Sequence, residues 1–239
     1  SYLTRQTEDD KKLGSLWMVS FKSGRVTPLL QRVEGLERYL WSPAGDEIVY
    51  SVKVESKPDE RGIKRVEGLL DRQADQRDRS QLYAVSVPGG TRRRLTAGSV
   101  TAAAQGVSPD GTRLLFTRTL DDVSQRPYVR TELWEIDLTT GEAKKLRDAR
   151  FMVSARYAPD GARVLVLAGP SEFGDVGKNL PAGVVPNEYD GELYVWNPGT
   201  DAVQALTVDF DPSVGRAAWS RKDGDMYLLA PDEDFVGLY

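Results

Sequence analysis

One short turn recurs four times along this chain, and no other feature constrains its fold as much. It reads "WSPAGDEIVY" around Gly45, "VSPDGTRLLF" around Gly111, "YAPDGARVLV" around Gly161 and "WSRKDGDMYL" around Gly224, the last with one extra residue before its glycine. Successive glycines lie 66, 50 and 63 residues apart. The pairs Asp110–Gly111, Asp160–Gly161 and Asp223–Gly224 suit the positive-φ positions of a tight turn, and Pro109 and Pro159 restrict the chain just ahead of two of them. The residues after each turn are nearly all apolar, as expected of strands covered on both faces.

A second unit alternates with the first. It reads "SLWMVSFKSGRVTPL" from Ser15, "QLYAVSVPGGTRRRLT" from Gln81, "ELWEIDLTTGEAKKL" from Glu132 and "ELYVWNPGTDAVQALT" from Glu192. Each carries an aromatic at one position (Trp17, Tyr83, Trp134, Tyr194), meets a turn containing Gly or Pro, and resumes as a short strand ending on Leu. Within "LWEIDL" the period-two pattern puts Leu133, Glu135 and Asp137 on one face and Trp134, Ile136 and Leu138 on the other. Together the units define four antiparallel strands a, b, c and d. Radial repetition of such sheets is a β-propeller, with other all-β repeats as the alternative. Residues 1–239 then read as one propeller domain or a fragment of one. Strands c and d come first, three full blades follow, and strands a and b close the chain. The count favours an arc of a larger ring of about seven blades over a closed four-bladed one, and "PDEDFVGLY" hints at one more strand. Trp41, Tyr157, Trp219 and Val107 share one position in the repeat and are expected between adjacent sheets.

Composition excludes several chemistries. The chain has no histidine and no cysteine, which removes a Ser-His-Asp triad, thiol nucleophiles, disulfides and most zinc sites. Neither a G-x-S-x-G elbow nor a phosphate-binding loop is present, and "GDVGKN" lacks the spacing and the Ser or Thr of the latter. Asp and Glu are plentiful, but their spacing marks no pair for general acid–base hydrolysis. No catalytic residue, metal ligand or cofactor is therefore assigned. A formal net charge of −4 argues against nucleic acid, with Arg92–Arg94 read as a solvated sheet edge. No apolar run is long enough to span a bilayer. The N-terminal residues contain no signal-peptide core, so the expected compartment is the cytoplasm, or the periplasm or exterior if a leader precedes Ser1.

The b-to-c connections break the repeat, near 54–80, 120–130 and 169–191. An up-and-down sheet sends all of them from one face, opposite the Gly turns, so they are the expected binding surface. The first holds seven acidic and seven basic residues between Glu55 and Arg79. Ile63, Val66, Leu69 and Leu70 allow a short helix or an extra hairpin. Arg61, Lys64, Arg65, Arg72, Arg77 and Arg79 are candidate carboxylate contacts, because guanidinium forks match that group, although the default reading is a solvated excursion with local ion pairs. The third connection is rich in Gly and Pro and presents Phe173 and Tyr189 as candidate substrate or partner contacts. The acidic run Glu8–Asp10 suits either a cation or peptide amine, or simply a surface turn.

The stretch from "YLWSPAGDEIVYSV" through "DERGIKRVEGLLDRQADQRDRSQLYAVSVPGGTRRRLT" resembles the N-terminal propeller of prolyl-oligopeptidase-type serine peptidases, in particular the acylaminoacyl-peptidase-like branch. The turns alone are shared with TolB-like propellers. The resemblance implies a non-catalytic domain that gates and docks short peptides for a C-terminal α/β-hydrolase domain, which would carry the Ser, Asp and His. Its implied partners are that domain and peptides, with self-association left open. No match to the paired-glutamate amine anchor of the dipeptidyl-peptidase branch is present. Two other readings stand beside it. One is a TolB-like scaffold that binds proteins with no hydrolase attached, and the other is a self-contained enzyme using propeller-face carboxylates.

Overall fold

The computed structural model describes residues 1–56, 77–122, 124, 128–181, 183–220 and 222–239. These form five sheets in which strands adjacent in sequence are adjacent in space. The first holds β1 (Tyr2–Glu8), β2 (Lys11–Val19) and β3 (Val26–Glu34), and the second β4 (Leu36–Trp41), β5 (Glu47–Val54), β6 (Arg79–Ser86) and β7 (Arg92–Arg94). The third holds β8 (Thr101–Val107), β9 (Arg113–Asp121), β10 (Val129–Asp137) and β11 (Ala143–Asp148). The fourth holds β12 (Met152–Tyr157), β13 (Val164–Ala168), β14 (Glu192–Asn197) and β15 (Ala202–Ala205). The fifth holds β16 (Arg216–Trp219), β17 (Met226–Asp232) and β18 (Phe235–Leu238). By compactness the chain divides into two units, Ser1–Ala104 with Phe116–Val129, and Gln105–Leu115 with Arg130–Tyr239.

Both terminal sheets hold one strand more than the repeats predict. Tyr2–Glu8 pairs antiparallel with β2 in unbroken register from Tyr2 opposite Trp17 to Glu8 opposite Lys11. The acidic run Glu8–Asp10 is the turn of that hairpin, with Asp9 and Asp10 at φ 48° and 61°. Glu8 accepts a hydrogen bond from Arg32 at 2.6 Å, so the run is a surface turn. At the other end, Phe235–Leu238 adds a third strand beside β17.

The recurrent turns carry geometry. Gly45, Gly111, Gly161 and Gly224 have φ of 75°, 78°, 69° and 82°, whereas the preceding Asp110, Asp160 and Asp223 stay at negative φ. Each aspartate instead acts as a hydrogen-bond acceptor inside its turn. Asp110 takes the Ser108 and Thr112 hydroxyls and the Thr112 N–H, and these bonds hold its carboxyl down to about 2. Asp160 takes the N–H groups of Ala162 and Arg163, and Asp223 the N–H of Asp225 and the Tyr227 hydroxyl.

The Leu-Thr endings of the second repeat also acquire a cause. In the second sheet the Thr96 hydroxyl donates to the buried Gln81 side chain at 2.8 Å and accepts the Leu82 N–H at 2.8 Å. In the fourth, Thr207 donates to Glu192 at 2.6 Å and accepts the Leu193 N–H at 2.9 Å. One side chain thus ties the end of strand d to the start of strand c and satisfies a buried polar group. The third sheet has Arg147 where these have threonine, and that arginine turns elsewhere.

Strands β5, β9 and β13 are buried through their centres, as their apolar runs predict. Strand β10 departs from simple alternation, since Glu132 and Glu135 are buried beside Leu133 and Ile136. Glu135 is satisfied by the Tyr157 hydroxyl at 2.6 Å, by Lys144 at 3.0 Å and by Arg113 at 3.3 Å. Burial alone would raise its carboxyl, but those partners outweigh it and hold the group below the usual value. Of the residues expected between sheets, Val107 is buried, while Tyr157 and Trp219 pack against the clusters around Leu115 and Leu165. Trp41 is the exception. It is 37% exposed and donates its indole N–H to the Ser1 hydroxyl at 2.9 Å, while Tyr39, two residues earlier, packs against the core.

Candidate functional site

A concavity among the described residues lies in the first unit, at the foot of the first insertion. It is built on Gly35, the single residue between β3 and β4. A one-residue link between two sheets brings backbones unusually close. The Gly35 N–H donates to Lys12 O at 2.9 Å, and the Lys53 N–H donates to Gly35 O at 2.8 Å. Its φ is +72°, and a Cβ there would sit 2.0 Å from Lys53 O, so only glycine fits. The start of β2, the link and the end of β5 are thereby stitched together.

Around this junction opens a cleft of about 710 Å³. Leu36 and Val52 give it an apolar floor. Five cations line it (Arg5, Lys11, Lys12, Arg38, Lys53), against three carboxylates (Glu34, Glu37, Glu55). The register puts Arg5 opposite Gly14 and Thr7 opposite Lys12, so Arg5 and Lys12 share one face of the first sheet. Arg5 donates to Glu37 O at 2.6 Å, and the Glu37 carboxylate accepts the Ser80 hydroxyl at 2.9 Å.

The insertion leaves and returns at this cleft. Its two feet are clamped by Asp78, which accepts the Ser56 N–H at 2.9 Å and pairs with Lys53 at 2.9 Å. The bond to Asp78 raises the Lys53 ammonium against a smaller opposing effect of burial. Burial pulls the Asp78 carboxyl the other way, yet the bonds from Lys53 and Ser56 prevail and lower it.

The sequence-predicted contacts distribute unevenly around this geometry. Arg61, Lys64, Arg65 and Arg72 lie outside the described residues, as does the proposed helix-or-hairpin segment. Arg77 stands half-buried at the returning foot. Arg79 is a structural residue, donating to Ser99 O at 2.7 Å and Asp78 O at 2.9 Å. In the second unit Phe173 is 9% exposed, its ring centroid 4.9 Å from Tyr194 and 6.1 Å from Trp196. The Arg147 guanidinium lies 4.2 Å from the Phe173 ring and pairs with the buried Glu172 at 3.3 Å. Phe173 is thus packed into the core of its sheet, where it seats its insertion. Tyr189, sixteen residues on in the same insertion, is 96% exposed.

Sequence reasoning missed Arg5, Lys11, Lys12, Arg38 and Lys53. Each occupies an ordinary polar strand position, and only the Gly35 link gathers them. Among the described residues, no group of three His, Cys, Asp or Glu gathers to hold a metal, and no helix is long and apolar enough to cross a membrane.

No family model matches the chain, and no curated protein matches it. Solved structures do, by fold. TolB from Acinetobacter baumannii superposes with a TM-score of 0.58 at 21% identity, over 94% of this chain and 46% of that one. An acylaminoacyl peptidase from Pyrococcus horikoshii gives 0.66 at 15% identity, over 95% and 34%. An oligogalacturonate lyase from Vibrio parahaemolyticus gives 0.60 at 13% identity, over 96% and 54%. The fold is that of a β-propeller. Three differently named proteins share it at low identity, so the likeness carries architecture and no activity. This chain spans between a third and about a half of the length of each.

Proposed function

We propose that this chain is a non-catalytic propeller segment, an arc of a larger ring. In this reading it docks and sizes short peptides for an α/β-hydrolase domain borne by the rest of a longer polypeptide. The observation that carries the reading is the charged cleft at the foot of the first insertion, a concave surface with an apolar floor and donors on its rim. Such a surface suits an extended peptide, which offers backbone carbonyls and a charged end. The superposition on acylaminoacyl peptidases, of which the chain covers about a third, supports an accessory place for it.

Two measurements test this. The complete reading frame is expected to encode a G-x-S-x-G elbow followed by Asp and His. In the full-length enzyme, replacing residues 57–76 by a short Gly-Ser linker should relax the limit on peptide length. A frame without the elbow, or an unchanged length limit, overturns the corresponding half of the proposal. A TolB-like scaffold is the second reading, favoured by the higher identity to TolB, and it predicts a frame with no hydrolase.

A further inference from the structure

We infer that the cleft beside Gly35 is a carboxylate-recognition site, with Lys12 and Arg38 receiving the carboxylate of a peptide. This rests on the peptide-docking reading and adds the chemical feature that is read.

The inference follows from assigning each charge in the cleft. Lys11 pairs with Glu34 at 3.4 Å, Lys53 pairs with Asp78 at 2.9 Å, and Arg5 donates to the Glu37 carbonyl. Glu37 accepts the Ser80 hydroxyl, and Glu55 lies close enough to Lys53 to act on its charge. Lys12 and Arg38 are left with no ion-pair partner among the described residues, and both are exposed on the rim. They approach the junction from different sheets. The carbonyl of Lys12 is hydrogen-bonded to Gly35, and Arg38 follows Gly35 by three residues along the chain. Two cations without an ion-pair partner among the described residues thus line the cleft together with the apolar Leu36 and Val52.

A carboxylate attached to an apolar body complements that arrangement, because charge-assisted bonds fix its end while the floor buries its body. A long polyanion does not. The chain's net charge is −4, and phosphate tracking needs a sustained positive surface. Peptides present carboxylates in two ways, at a free C-terminus and on Asp or Glu side chains, and both share the chemistry.

The test is fluorescence polarisation of the 239-residue chain with three labelled apolar pentapeptides. One has a free C-terminus, one is C-terminally amidated, and one is amidated with a single internal Glu. The free acid or the Glu peptide should bind about tenfold more tightly than the neutral amide, and which of the two gains identifies the source. Lys12→Gln and Arg38→Gln should each weaken the favoured peptide about three- to tenfold, and added salt should do likewise. Lys22→Gln, in the exposed β2–β3 turn, should leave binding unchanged, and circular dichroism checks that each variant is folded. Equal binding of all three peptides, or a Lys12→Gln/Arg38→Gln double variant that binds normally, overturns the inference while leaving peptide docking intact. Absence of binding by all three peptides overturns the docking reading itself.

Discussion

The first and third insertions leave their sheets from the same topological point, the end of strand b, yet their feet differ in kind. Among the described residues, the foot of the first is a cleft with charged walls. The third is closed over its own sheet. Phe173 fills the space against Tyr194 and Trp196, Arg147 lies on its ring, and Glu172 accepts the Phe151 N–H at 2.8 Å. Gly177 comes so near the Tyr194 hydroxyl that no Cβ fits between them. One aromatic at the right point along an insertion converts a cleft into core. An insertion is therefore not by itself a binding surface, and what covers its foot decides.

Four experiments press on this contrast. Gly35→Ala should have the largest effect, destabilising the first unit by about 4 kcal/mol. The new methyl must displace the Lys53 carbonyl in a backbone region that L residues avoid. Chemical denaturation measures this, and a loss under about 1 kcal/mol would show that the junction yields easily. Phe173→Ala should cost the second unit about 3 kcal/mol. Because Phe173 does not line the cleft, peptide affinity at a temperature where the variant is folded should be unchanged. A loss of affinity would return Phe173 to the list of contacts.

The third experiment concerns Glu172. Burial raises its carboxyl, and its bonds to Phe151 and Arg147 only partly oppose this. The folded state then holds the proton more tightly than the unfolded chain. Between the ordinary value of 4.5 and the raised one, stability should fall as pH rises. Glu172→Gln should flatten that slope in urea titrations run at several pH values, and an identical slope in the variant would exclude Glu172 as its origin.

The smallest effect belongs to Asp110, in the turn between β8 and β9. Its carboxyl is depressed from 3.8 to about 2, so its contribution is complete above the unfolded value and is lost as pH falls through the folded one. Asp110→Asn should lower the melting temperature by a few degrees at most at neutral pH and by less near pH 2. Altered peptide binding in a folded Asp110→Asn protein would contradict the purely geometric role of these turns.

How much of this was legible beforehand follows the range of the interactions involved. The turn glycines and the period-two strands are written in residues a few positions apart. So are the strand ends marked by Leu-Thr, although their hydrogen bonds became visible only with Gln81 and Glu192 in place. The outer strand β1 was harder to read than β18, at which "PDEDFVGLY" had hinted, because "YLTRQTE" sits outside the repeats and becomes a strand by pairing with a neighbour. Phe173 and Tyr189 belong to one Gly- and Pro-rich segment, and nothing local separates the buried ring from the exposed one.

The sequence by itself determined an all-β chain of short sheets joined by glycine turns, and it excluded triad and thiolate chemistry by lacking histidine and cysteine. Local sterics and composition suffice for both. Only the tertiary structure decided that Gly35 is the point where two sheets meet, that Lys12 and Arg38 flank one cleft, and that Phe173 closes another. Those outcomes depend on backbones distant in sequence approaching within hydrogen-bonding and van der Waals reach, and no spacing along the chain encodes that.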